Sequence, residues 1–244
     1  MPKPCANLTL LFTELPMPER FGAARKAGFD TVEILFPYDM PAPETRRLLE
    51  INDLTLALIN CPPPNYADGP RGFAAVPGGE ERFRKDFRRT LRYAEALGAK
   101  FIHLMAGVAD GPEAEATMTE NLRWAAAEAP NQSLTIEPIN PVDMPGYFLN
   151  DFDQAARIVD DLGLPNLGIQ YDLWHAARIH GDADAVWGNR TREAGRRPAT
   201  MRPSRMPSIM ARRRGEEERL ARRATAPPVG PDRSARGPRP PPRQ

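Results

Sequence analysis

The chain has 244 residues, 41% of them apolar, and a formal charge of +1 that averages two unlike segments. Residues 1–185 carry 17 Lys and Arg against 27 Asp and Glu, whereas residues 186–244 carry 16 Arg, no Lys and 5 acids. No apolar run approaches the roughly eighteen residues of a membrane span, and no basic, apolar leader opens the chain, so neither a membrane protein nor a secreted one is expected.

Apolar β-rich runs alternate with amphipathic helical patterns at the repeat length of βα units. In chain order, strands are expected at residues 6–12, 31–36, 54–59, 101–105, 134–137 and 167–171. Helices are expected between them at 18–27, 42–51, 81–97, 113–128 and 152–162. Gly28, Gly98 and Gly163 each follow a helix, where glycine supplies a left-handed cap. The clearest helix carries Phe83, Phe87, Leu91, Ala94 and Leu97 at spacings of three and four, one stripe for a core. Several strands are apolar on both faces, as parallel strands covered by helices should be.

After residue 185 the apolar period ends. Arg212 to Arg214, Arg222-Arg223 and Pro240 to Pro242 fall in a stretch with no aromatic residue beyond Trp187. The expected organisation is a folded domain over 1–185 and an Arg/Pro-rich disordered tail over 186–244. Clustered arginine attracts polyanions, but without stacking aromatics specific nucleic-acid binding is not expected. A shift of coding frame near residue 186 is a further reading, since Lys-free, Arg- and Pro-rich sequence is what a GC-rich gene yields out of frame. Cys5 and Cys61 are too few and too far apart for a disulfide framework, which makes a cytoplasmic location the expectation.

Alternation of this kind leaves a closed (β/α)8 barrel or an open doubly wound sheet. Residues 11–16 lack a G-x-G-x-x-G loop, which weakens the dinucleotide-binding version. Polar residues stand instead at the ends of several strands: Glu33, Asn60, His103, Glu137 and Asp172. In a barrel such ends converge on one mouth, where active sites sit. The expected fold is therefore an α/β barrel of the (β/α)8 TIM type, incomplete, with about six βα units.

Ile136-Glu137-Pro138 sets a carboxylate where an apolar strand stops. Gln170-Tyr171-Asp172-Leu173-Trp174-His175 repeats the arrangement one unit later. A solvated loop acid is the plain alternative for Glu137, and a lone histidine such as His175 is more often a satisfied structural residue than a ligand. Two carboxylates on adjacent strand ends can hold a hard divalent cation, and a carboxylate can carry a proton between the carbons of an enediolate. The long loop 60–78 could bring Arg71 to a substrate carboxylate, or simply expose it. The loop 143–149 could shield the site from water, or pack against the neighbouring βα loop.

With these residues the sequence resembles the hydroxypyruvate isomerase family of xylose-isomerase-like TIM barrels. The matching pieces are NLTLLFTE at 7–14, GFDTVEILFPYD at 28–39, the loop 62–78, HLMAG at 103–107, IEPIN with DMPGYFL, and QYDLWH. The resemblance implies reversible isomerisation of hydroxypyruvate and 2-hydroxy-3-oxopropanoate, with no organic cofactor and with Mg2+ or Mn2+ as divalent metal. It implies Glu137 as a catalytic proton carrier and metal ligand, Asp172 as a second ligand, and His103, His175 and Arg71 as substrate-binding residues. The expected partner is a small hydroxy-oxo acid.

The family's further ligands, a Gln on a His-Val-Gln strand and a Glu on the eighth strand, have no counterpart in this sequence. Low turnover is expected from that gap, along with apolar side chains exposed at the open seam. Isomerisation of 2-oxo-tetronate is the neighbouring alternative. A non-catalytic barrel remnant, held together as a homo-oligomer, is the alternative of another class.

Overall fold

The computed structural model describes residues 4–61 and 71–181. The expected boundary at residue 185, the tail 186–244 and most of the proline-rich loop lie outside the described residues. The elements are β1 (Ala6–Asn7), α1 (Met17–Lys26), β2 (Thr31–Glu33), a 3-10 turn (Pro37–Asp39), α2 (Ala42–Ile51), β3 (Thr55–Leu56), β4 (Leu58–Asn60), α3 (Glu80–Leu97), β5 (Phe101–His103), α4 (Gly111–Glu128), β6 (Ser133–Ile136), α5 (Phe152–Leu162), β7 (Leu167–Ile169) and α6 (Leu173–His180).

Every strand pairing is parallel. β3 pairs with β2 and β4 with β5, and the ladder runs across the break because Ala57 N donates to Val32 O at 2.7 Å and Ile34 N to Leu58 O at 3.2 Å. The strands thus follow chain order from β1 to β7. That sequential order belongs to a barrel wall; a doubly wound sheet reverses at a switch point. The α/β TIM-type architecture is the one expected, and six βα units are present among the described residues.

The core lies between this wall and its helices. Phe83 and Phe87 of α3 are fully buried, and Trp124 of α4 meets them edge-on at 6.3 and 5.6 Å. The predicted stripe is therefore the packed face. Gly98 and Gly163 end α3 and α5 at φ 68° and 57°, the left-handed caps anticipated from sequence.

Three expectations need correction. The first strand covers two residues rather than seven, because Leu10 N and Leu11 N turn back onto Asn7 O and Phe12 adopts φ 59°. The helix α6 was not anticipated, yet Asp172 caps it, its carboxylate accepting from Trp174 N at 2.7 Å and His175 N at 3.0 Å. The exposed seam is narrower than expected: Ala6, Leu8 and Leu167 are buried in the main apolar cluster, whereas Leu10, just past β1, is 59% exposed.

Candidate active site

Parallel strands put all their carboxyl ends on one side, so residues just past each strand share one mouth. Glu137 follows β6 and Asp172 follows β7, and each is nearly buried, 7% and 5% exposed. One ligand atom from each of Glu137, Asp172 and His175 lies within 4.8 Å of the others. These side chains, with His103, Asn60 and Arg71, line a cleft of about 480 Å³. The sequence-predicted site residues are thus brought together. Glu33, at the end of β2, is buried nearby and acts on Glu137 through its charge. A larger depression of about 880 Å³ lies beside the rim, but its acids are the exposed Asp110 and the half-buried Glu115, the latter paired with Arg157.

The electrostatics follow from burial. Glu137 has its carboxyl held well above the ordinary range, first by desolvation, then by the charges of Asp172 and Glu33, against a hydrogen bond from Gln170. Asp172 is also raised, because desolvation outweighs both the attraction of His175 and the two backbone N–H bonds at the start of α6. His103 is 1% exposed, and burial, reinforced by His175, pushes its imidazole down to about 3. Its Nδ1 lies 3.5 Å from Glu137 Oε2. With the ring neutral this is a contact and not an ion pair.

Three buried groups that favour their neutral forms, two of them acids set side by side, form a centre that an added positive charge would relieve. The two carboxylates suit a hard divalent cation, with water completing its shell.

Loops complete the cleft. Gly72 bridges antiparallel to Ala106 at φ 100°, and a Cβ there would lie 2.2 Å from Met105 O. Only glycine permits this close approach, and it fixes neighbouring Arg71 at the rim. Arg71 is exposed there. Val108 bridges to Tyr147, Phe148 N donates to Gly107 O at 2.9 Å, and Ala106 N donates to Tyr147 Oη at 2.8 Å. Tyr147, Phe148 and Leu149 are buried by this packing. The alternative reading of loop 143–149 as packed on its neighbour therefore holds for these residues, and Met144 alone among its apolar side chains lines the cleft.

Two site residues escaped the sequence reading. Gln170, 3% exposed, hydrogen-bonds Glu137; a polar side chain one residue past an apolar strand was its only signal. Asn140 meets His175 at 2.8 Å from the IEPIN segment. The Gln and second Glu implied by resemblance would fall after residue 181, outside the described residues.

Comparison with known proteins agrees with this geometry. Residues 21–205 match the xylose isomerase-like TIM barrel family, and the chain belongs to it. It is 45% identical over 188 residues to the 2-oxo-tetronate isomerase of Cupriavidus necator, covering 75% of this chain and 72% of that one. It is 42% identical over 183 residues to the hydroxypyruvate isomerase of Escherichia coli, covering 72% and 71%. A crystal structure described as an AP endonuclease, family 2, from Brucella melitensis superimposes with a TM-score of 0.74 at 40% identity, covering 78% of this chain and 75% of that one. Among the described residues no helix is long and apolar enough to cross a membrane.

Proposed function

We propose that this chain is an aldose–ketose-type isomerase that interconverts hydroxypyruvate and 2-hydroxy-3-oxopropanoate, with Glu137 carrying the proton. The observation that carries the reading is Glu137 itself: a buried carboxyl, raised in pKa, sharing one cleft with Asp172, His103 and His175. Relatives more than 40% identical, matched over 72% and 71% of their own length, bear isomerase names, which supports the reaction class.

A C–H beside a carbonyl loses its proton only to a base poised close by, and that base is most effective when its pKa lies near the working pH. Glu137 takes the proton from the hydroxymethyl carbon and returns it to the former carbonyl carbon. The hydroxyl proton passes to the other oxygen, so a ketone and a primary alcohol become a secondary alcohol and an aldehyde. No electrons leave the substrate, and no organic cofactor is required. The raised pKa serves the second half of the cycle, in which Glu137 must hold the proton before giving it back.

Gln170 hydrogen-bonds the carboxyl, neutral His103 lies beside it, and Arg71 at the rim offers a guanidinium to the substrate carboxylate. Glu137 and Asp172 would hold Mg2+ or Mn2+, which when bound polarises the carbonyl and offsets the charge of the enediolate. A substrate one carbon longer, 2-oxo-tetronate, is the second reading, favoured by the Cupriavidus necator relative and admitted by a cleft of about 480 Å³.

The test is conversion of each oxo acid by the full chain with Mn2+, beside Glu137→Gln. The variant is expected to lower kcat by roughly 10²- to 10⁴-fold. An unaffected variant removes Glu137 from the chemistry, and absence of turnover on both substrates leaves the non-catalytic remnant. The ratio of the two kcat/KM values selects the substrate.

A further inference from the structure

His175 stands within 4.8 Å of both acids and looks like the third ligand of a cation site, but its hydrogen bonds assign it another part. Asn140 Oδ1 accepts the backbone N–H groups of Val142 at 3.1 Å and Asp143 at 3.0 Å. That fixes the amide, because the opposite flip would turn an NH₂ group toward two N–H donors. Asn140 Nδ2 is therefore the donor, to Asp143 Oδ2 at 2.9 Å and to His175 Nδ1 at 2.8 Å. The backbone N–H of Asn140 points at the same Nδ1 from 3.3 Å, and a backbone N–H can only donate.

A ring nitrogen faced by two donors must present its lone pair, so the proton of the neutral imidazole sits on Nε2. Neither nitrogen then has a lone pair to spare for a cation: the one on Nδ1 is engaged by Asn140, and Nε2 is an N–H.

We propose that Asn140 is a positioning residue that holds His175 in the Nε2–H form, making this ring a hydrogen-bond donor in the cleft and withholding it from the cation that Glu137 and Asp172 would bind. The donor's use toward a substrate oxygen rests on the isomerase reading above; the tautomer does not. Asn140 itself is held by the turn 140–143, and Asp143 also receives the indole Nε1 of Trp174 at 2.7 Å. The loop after β6 and the helix α6 therefore set the ring together.

Long-range ¹H–¹⁵N correlation on the full chain, labelled at its 3 histidines, reads the protonated nitrogen of each ring directly. His175→Ala assigns the signal. The expected pattern is a bare Nδ1 and a protonated Nε2 at His175, and a proton on Nδ1 overturns the proposal.

Asn140→Asp keeps an oxygen for Val142 and Asp143 but replaces the Nδ2 donor by an acceptor. It should move proton density to Nδ1 and lower isomerase kcat/KM by about tenfold, as loss of partners that orient an imidazole does elsewhere. Asn140→Ala, which adds no charge beside Asp143, should fall between the two in ring pattern. An unchanged pattern in both removes Asn140 from the role. Mn2+ titration of His175→Ala should give an affinity within about twofold of the parent, whereas a lost ligand would weaken it tenfold or more. The ring signals need no turnover, so an inactive chain with the expected tautomer refutes only the isomerase reading, and an active chain with the opposite tautomer refutes only this one.

Discussion

Asp143 joins two elements through one carboxylate. It accepts from Trp174 Nε1 at 2.7 Å and Asn140 Nδ2 at 2.9 Å, and Arg178, whose guanidinium lies over the Trp174 ring at 4.5 Å, approaches it to 3.8 Å. These partners, the indole first, hold its pKa below the ordinary carboxylate value. A carboxyl lowered on folding adds stability above its unfolded pKa and loses it as pH falls through the folded one. Acidification below about pH 4 is therefore expected to release Trp174 from the loop. In a chain with Trp124 and Trp187 replaced by Phe, the emission of Trp174 should show an acid transition that Asp143→Asn lacks.

Cys61 gives a second check at the residue scale. Burial, aided by the charge of Asp86 and opposed by a hydrogen bond with Thr90, pushes its thiol up to about 12. The thiolate is the reactive form, so alkylation at pH 8 should be slow in the native protein and rise to the rate of an ordinary thiol on unfolding. Mass spectrometry of the Cys61 peptide reads both rates, and rapid native labelling would contradict the burial.

At the scale of elements, the cleft depends on loops that touch backbone to backbone. Gly107 has φ 93°, and a Cβ on it would stand 2.5 Å from Gly72 O, so both glycines sit where the loops after β4 and β5 cross. Replacing either by Ala imposes strain and forces the loops apart. Gly72→Ala is expected to cost more than about 1 kcal/mol in urea unfolding and to raise KM by displacing Arg71. A larger loss belongs to the helix layer, where Phe87→Ala should cost roughly 3 to 5 kcal/mol, because the fully buried ring packs against Trp124. A Phe87→Ala chain as stable as the parent would show that α3 and α4 do not share the core as described.

For the whole molecule, Glu137 and Asp172 follow neighbouring strands, so a cation held by both would tie the end of β6 to that of β7. A cation that binds only the folded form stabilises it by about 2.7 kcal/mol at a hundredfold excess over its Kd. Mn2+ is expected to raise Tm, and Asp172→Asn to abolish most of the shift; an equal shift in the variant would place the cation elsewhere. Among the described residues β1 and β7 each have a single neighbour in the sheet. Domain stability is usually only about 5 to 15 kcal/mol, so a tie of this size matters at a wall that does not close within these residues.

The sequence by itself determined the parallel βα order, the apolar stripe of α3, the carboxyl-end positions of Glu137 and Asp172, and the family. Each is written in local periodicity or in contiguous motifs, which need no knowledge of what packs where. Strand lengths were less legible, since residues 8–12 are as apolar as a strand and yet turn away on hydrogen bonds to Asn7 O. Tertiary structure alone decided which polar groups are buried together, that Gln170 hydrogen-bonds Glu137, and that Asn140 reaches a ring 35 residues further along the chain. The physical reason is that pKa and tautomer are set by desolvation and by donors arriving from other elements, and neither quantity exists until the chain has folded.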